Sequence, residues 1–237
     1  MALHRDSILI TDFDGTVTRQ DFYALVVPRF LGDGVPDYWG RYFRGEITHF
    51  EAMRSIFSHI RADEETLRAV IGEMEPEREL ARWVEALRGA GWEIEIVSAG
   101  CRWYIDPILR EAGVAVKVHA CPGRFDPERG LLMELPADSR YASQETGIDK
   151  AAVVRDALGR YRRVAFAGDG RPDLEAALLV EPGLRFARGW LAKELGRRGE
   201  GFRPFERWAE VAGALIGEGP YNGDRDRAEQ GVPPRAK

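Results

Sequence analysis

The sequence predicts an α/β protein: a Rossmann-like, doubly wound parallel sheet with a four-helix cap inserted after its first strand. Three observations predict it. A short apolar run, "SILITDFDG", stands near the start and breaks on Gly15. From Trp92 onward, strand-like and helix-like stretches alternate, as parallel strands joined by crossover helices require. Between these two regions the texture is helical throughout, cut by Gly and Pro.

The elements follow in order. "SILITDFD" reads as a buried strand. "DFYALVVPRFLG", "DYWGRYFRG", "THFEAMRSIFSHI" and "DEETLRAVIGEM" read as four short helices, with Thr48 and Asp63 as N-caps. "PERELARWVEALRGAG" is a further helix with Pro76 in its first turn and glycine at its end. "WEIEIVSAG" is a strand, "RWYIDPILREAG" a helix with Pro107 near its start, and "VAVKVHAC" a strand. "FDPERGLLMEL" is a hairpin turning between Pro127 and Gly130. A helix at "DKAAVVRDALG", a strand at "RRVAFAGDG", a helix at "RPDLEAALLV" and a strand at "GLRFA" precede two amphipathic helices around 190–198 and 204–215. Glu93 and Glu95 resist the pattern, because a central parallel strand is usually apolar on both faces. Either that strand lies near the sheet's edge or Glu93 precedes the pairing. The implied organisation is a core at 1–18 and 89–217 with a hairpin insert near 123–136, a helical cap at 19–88, and a flexible tail at 218–237.

The 237 residues carry 31% charged and 44% hydrophobic side chains, ordinary for a soluble globular chain. A net charge of −5 gives no footprint for nucleic acid. No stretch has the length and apolarity of a signal peptide or a membrane span. Two cysteines, Cys101 and Cys121, are too few for a disulfide framework. A soluble, cytoplasmic protein is expected, monomeric or homodimeric.

In open α/β sheets, ligands bind beyond the carboxyl ends of the strands. Asp12, Asp14, Ser98, Asp169 and Asp173 all stand at such ends, and Lys150 opens the helix before the strand that delivers Asp169. This set suits phosphoryl transfer. Asp12 is a nucleophile able to form an aspartyl-phosphate. Asp14 is the acid that protonates the leaving alkoxide and the base that activates water. Lys150 is a fixed positive charge, and Ser98 with the amides of Ala99 and Gly100 can cradle phosphate oxygens at a helix start. A carboxylate attacking a phosphate anion also needs a hard cation; Asp12, Asp14, Asp169 and Asp173 supply oxygen atoms that suit Mg²⁺.

These residues resemble the haloacid-dehalogenase-like superfamily of phosphatases. "DFDGT" is similar to its first motif, the serine of "VSAG" to its second, Lys150 to its third and "GDGRPD" to its fourth, in that order. The resemblance implies a Mg²⁺-dependent phosphomonoesterase acting on a small phosphorylated metabolite. It assigns Asp12, Asp14, Ser98, Lys150, Asp169 and Asp173 the roles just given, and the presence of Asp14 favours a phosphatase over a dehalogenase. A helical cap after the first motif is similar to the phosphoserine phosphatase group. "DFDGTVTRQD", "GCRWYIDPIL", "GDGRPDLEAALL" and "LRFARGWLAKEL" more closely resemble the methionine-salvage phosphatases of 2-hydroxy-3-keto-5-methylthiopentenyl-1-phosphate. The stretch "RYASQETGID" before Lys150 lacks the cysteine-rich character of some of those. A phosphate-binding protein without catalysis is the rival reading, and it has no use for Asp14.

Other residues carry two readings. Asp21 suits either an N-cap or the polar end of a substrate. Arg54 and Arg102 read as solvated helix-face arginines, with a second substrate anion as the alternative. Trp39, Phe43, Trp103 and Tyr104 read chiefly as cap packing and otherwise as chamber lining. Cys101 reads as a small packing residue, and the four histidines give no zinc spacing.

Overall fold

The computed structural model describes residues 6–32 and 34–217; the tail expected at 218–237 lies outside the described residues. The chain runs β1 (Ser7–Thr11), α1 (Phe22–Phe30), α2 (Tyr38–Phe43), α3 (His49–Phe57), α4 (Glu64–Gly72), α5 (Leu80–Gly89), β2 (Trp92–Cys101), α6 (Arg102–Glu111) and β3 (Lys117–Cys121). It continues through β4 (Gly123–Asp126), β5 (Gly130–Met133), β6 (Ala142–Ser143), β7 (Gly147–Ile148), α7 (Lys150–Leu158), β8 (Arg163–Gly168) and a 3₁₀ turn at Arg171–Asp173. Then come α8 (Leu174–Leu178), β9 (Arg185–Ala187), α9 (Gly189–Arg198), β10 (Arg203–Pro204) and α10 (Trp208–Gly217).

Six strands form one sheet in the order β10-β9-β8-β1-β2-β3, every pair parallel. β1 sits centrally and the chain leaves it in both directions, so the carboxyl ends of β1 and β8 mark the switch point where crevices form. Helices cover both faces, which is why every residue of β1 is buried: Leu9 packs to one side, Ile8 and Ile10 to the other.

Glu95 is accommodated by charge. It is 5% exposed, yet His119 Nε2 lies 2.9 Å, Lys117 Nζ 3.4 Å and Arg160 3.7 Å from its carboxylate. Burial alone would raise its pKa, but His119 and Lys117 bring the carboxyl below its ordinary value. β2 is indeed next to the edge strand β3, whereas Glu93 does not precede pairing. It is in register with Ile8 and accepts a hydrogen bond from Tyr161 Oη at 2.6 Å.

Four short helices, α1–α4, are inserted after β1. Thr48 caps α3 in a full capping box with Glu51, and the Asp63 side chain caps α4 through Thr66 N. Two antiparallel segments join the insert to the sheet: Gln20 N and Arg19 N donate to Met74 O and Glu75 O, and Glu77 N donates to Val17 O. Pro76 is held there, bridged to Thr18, rather than opening α5. α5 begins at Leu80, because Glu75 (φ 49°) and Glu79 (φ 55°) adopt left-handed backbone that breaks the helix upstream. The expectation grouped residues 80–88 with the insert; α5 packs instead on β2 and α10. Two differences are smaller. Pro107 sits in mid-helix in α6, and Pro204, expected to open the last helix, ends a short edge strand ahead of α10. β4 and β5 form the expected hairpin, Asp126 facing Gly130.

Candidate active site

β1 delivers Asp12 one residue beyond its end, where Asp12 N donates to Ala167 O of β8 at 2.8 Å. Asp12 Oδ1 accepts from Phe13 N at 2.7 Å and lies 2.7 Å from Lys150 Nζ. Gly15 then turns the chain with φ 66°. A side chain there would strain the backbone and place a Cβ 2.5 Å from Asp169 Oδ2, so only glycine lets this loop pass the carboxylate.

β8 and the turn after it bring Asp169 and Asp173 to the same point. Asp173 is fully buried, and its carboxylate is held by three donors: Lys150 Nζ donates to Oδ1 at 2.7 Å, while the amides of Asp169 and Gly170 donate to Oδ2 at 3.0 and 2.8 Å. Lys150, at the first position of α7, is buried between Asp12 and Asp173. Burial alone would pull its pKa down; the two carboxylates outweigh that and hold the ammonium above its ordinary value.

Asp12, Asp169 and Asp173 each present an oxygen within 4.8 Å of the others. Three carboxylates face one ammonium, and the imbalance shows. Burial, then repulsion from Asp173 and Asp169, raises Asp12 well above the usual carboxylate range. Asp169 is lifted to about 7 by burial first and by Asp173 and Asp21 next. An all-oxygen donor set with excess negative charge and poor water access fits a hard divalent cation such as Mg²⁺.

Asp14 stands apart from this cluster. Its Oδ2 accepts from Tyr104 Oη at 2.9 Å and Ser98 Oγ at 3.3 Å, and its Oδ1 accepts from Phe22 N at 3.2 Å. Burial, with repulsion from Asp21, raises it to about 7. Its carboxylate is therefore directed at donors rather than gathered with the three clustered aspartates. Ser98 lies at the bulged end of β2 and its Oγ accepts from Gly100 N at 2.9 Å. The expected helix-start cradle shifts accordingly. Ala99 and Gly100 still belong to β2, α6 begins only at Arg102, and the Gly100 amide is taken by Ser98. Glycine is required at 100 because a Cβ would collide with Tyr104 Oη and approach Asp14 Oδ2 to 2.7 Å.

Asp21 caps α1, accepting from Tyr23 N at 2.7 Å and Ala24 N at 3.4 Å. Arg102 is exposed and paired with Asp106, and Arg54 is exposed over the Phe50 ring. Trp103 packs between Phe22, Phe125 and the Arg68 guanidinium. Cys101 and Cys121 are free and buried, and burial pushes the Cys101 thiol up to about 12. Sequence reasoning missed the Tyr104 bond to Asp14, the Thr16 Oγ1 bond to Asp169 Oδ1 at 3.3 Å, and the burial of His49. The aromatic run after "VSAG" signalled Tyr104; nothing local signalled the other two.

Residues 9–178 match the model of the haloacid dehalogenase-like hydrolases. The chain belongs to that family. Several relatives of this hydrolase carry the name 2-hydroxy-3-keto-5-methylthiopentenyl-1-phosphate phosphatase. The protein of Bacillus velezensis is 25% identical over 90% of this chain and 92% of its own. That of Brevibacillus brevis is 26% identical over 78% and 84%. Among solved structures, a family hydrolase from Salmonella enterica superposes with a TM-score of 0.65 at 15% identity, covering 89% of this chain and 71% of that one. A phosphoserine phosphatase from T. onnurineus gives 0.59 at 15% identity over 91% and 98%. At those identities the structures establish the shared fold alone. Among the described residues, no helix of this hydrolase is long and apolar enough to cross a membrane.

Proposed function

We propose that this hydrolase is a phosphomonoesterase for a small phosphorylated metabolite and works through an aspartyl-phosphate. The observation that carries the reading is the convergence of four side chains: Lys150 lies 2.7 Å from both Asp12 and Asp173, and oxygens of Asp12, Asp169 and Asp173 lie within 4.8 Å of one another, with Asp14 set on its own donors nearby. Asp12 attacks phosphorus in line with the ester oxygen, and that P–O bond breaks as the new one forms. The departing alkoxide takes a proton from Asp14, which Tyr104 and Ser98 keep in place. Asp14, now ionised, removes a proton from water as it attacks the acyl phosphate, returning Asp12 and releasing inorganic phosphate. Lys150 favours the ionised form of Asp12 against burial and its carboxylate neighbours, and offsets the phosphoryl charge. Mg²⁺ held by Asp12, Asp169 and Asp173 would supply the positive charge that lets two anions meet. Helices α1–α4 act as a cap that closes on the substrate and excludes water, swinging on the segments at 17–20 and 74–79.

Within this class we assign the methionine-salvage enol phosphate, 2-hydroxy-3-keto-5-methylthiopentenyl-1-phosphate, as the substrate. The relatives so named support it, and so does the aromatic character of the cap. Phosphoserine is the second choice, supported by the fold likeness. Purified protein with Mg²⁺ should turn over p-nitrophenyl phosphate, and a screen of small esters that includes both candidates should rank the first highest. No turnover of any ester would leave only phosphate binding.

Asp14→Asn should lower kcat by about 10²–10⁴-fold, the usual range for one acid/base group, in both ester cleavage and dephosphorylation. A variant with normal kcat would remove Asp14 from the mechanism. Mg²⁺ should raise the Tm of the wild type by binding only the folded state, and Asp169→Asn should lose most of that rise. The shift should be larger at pH 8 than at pH 5. Asp169 titrates at about 7, above its unfolded value, so its ionised form costs the cation-free fold stability as pH rises through that range. Calorimetry with and without a chelator checks this; an equal shift in Asp169→Asn would locate the cation elsewhere.

A further inference from the structure

Two buried side-chain polar atoms lack a hydrogen-bond partner among the described residues, Trp92 Nε1 and His49 Nδ1. Trp92 opens β2 at the amino end of the sheet, away from the candidate site, with the Arg163 guanidinium over its ring. His49 is at the other end and is only 9% exposed. It opens α3, whose start is hung on the core: Phe50 N donates to Glu145 O at 2.8 Å, in the loop that leads directly to Lys150. A Cβ at Gly147, the first residue of β7, would come within 3.1 Å of the Phe50 ring. The His49 ring feels the Lys150 ammonium across this junction.

The surroundings of His49 are aromatic. Its ring lies 5.2 Å from that of Trp39 and 5.6 Å from that of Tyr42. Trp39 Nε1 donates to Tyr23 Oη at 2.6 Å, on the helix whose first amide bonds Asp14. Phe43, at the end of α2, reaches the Arg171 guanidinium in the turn after Asp169. The α2–α3 face thus spans from the Lys150 loop to the Asp169 loop, over the carboxyl ends of the strands.

We propose that His49 determines specificity by hydrogen-bonding, through Nδ1, an uncharged hydroxyl or carbonyl oxygen on the non-phosphate end of a short-chain phosphate ester. This rests on the phosphatase reading above. A packing role leaves the orphaned atom unexplained, since a buried nitrogen without a partner is costly and an apolar residue would fill the space better. Burial, reinforced by Lys150, holds His49 down to about 4, so the ring is neutral and offers one hydrogen bond at Nδ1 rather than a charge. His49 itself would offer a substrate carboxylate no charge. Arg102 pairs with Asp106, and Arg54 lies over the Phe50 ring. Aromatic neighbours and an unpartnered neutral nitrogen favour an ester that is mostly apolar and carries an uncharged oxygen.

Dihydroxyacetone phosphate and n-propyl phosphate, matched in chain length, test this with Mg²⁺ present. The wild type should prefer the oxygenated ester by about tenfold in kcat/KM, expressed in KM, as one net hydrogen bond provides. His49→Phe should erase that preference while changing propyl phosphate by less than about twofold, and His49→Gln should restore much of it. No preference in the wild type, which needs no variant to fold, overturns the proposal. So does a parallel loss for both esters in His49→Phe. If propyl phosphate is hydrolysed without discrimination, the phosphatase reading stands and the role of His49 falls. If neither ester nor p-nitrophenyl phosphate turns over, both fall.

Discussion

Asp12→Asn is expected to hydrolyse p-nitrophenyl phosphate at least about 10⁴-fold more slowly than the wild type while melting within ~4 °C of it. The two halves come from different properties of one carboxylate. An amide oxygen cannot form the acyl phosphate, so the covalent route closes. The fold, by contrast, gains as much as it loses. Asn retains an acceptor for Phe13 N and for Lys150, and Lys150 keeps its 2.7 Å pairing with Asp173. The negative charge removed is one that burial, Asp173 and Asp169 all oppose. Steady-state kinetics with calorimetry on the same preparation checks the pair. A rate above about one hundredth of wild type would reassign the nucleophile, and a collapsed Tm would mean that Asp12 is retained for the fold.

Part of this site is legible in the sequence, and the division has a physical cause. Asp12, Ser98 and Asp169 were legible because a strand's end is written locally, as an apolar run stopping on a polar residue and glycine. Lys150 was legible by its place before the last of those strands. What holds these residues was not legible. Tyr104 meets Asp14 across 90 residues, and Thr16 meets Asp169 across 153. No periodicity encodes such pairs. Asp21 carries two readings because a cap and a substrate ligand look alike in sequence; its Oδ1 makes the capping bonds to Tyr23 and Ala24. Glu95 was misfitting for the same reason: His119, Lys117 and Arg160, which neutralise it, come from other segments. Local backbone strain was also hidden. Pro76 resembles a helix start, yet Glu75 and Glu79 in left-handed conformations make it part of the join between insert and sheet. His49 illustrates the extreme case, since its significance lies in a bond it does not make.

Lys150→Met should have the largest effect on stability. The ammonium is buried and lies 2.7 Å from both Asp12 and Asp173. Methionine fills similar space but leaves two buried carboxylates without their cation, and breaking a buried pair in this way typically costs about 3–5 kcal/mol. Protonation limits the damage, which gives the deficit a pH dependence of fixed sign. Asp12 is already raised above its unfolded value with Lys150 present, and Asp169 stands at about 7. Removing the lysine raises Asp12 further. A carboxyl whose folded pKa exceeds its unfolded one binds its proton more tightly in the native state. Its stabilising contribution is therefore complete below the unfolded value of about 4 and is lost as pH rises through the folded value. The gap between wild type and Lys150→Met, measured by urea unfolding in the presence of a chelator, should be small at pH 5 and should widen toward pH 8. A gap that is constant, or that narrows as pH rises, would mean that Lys150 does not neutralise Asp12 and Asp173 in the folded protein. The electrostatic basis for an ionised nucleophile at this site would then be gone.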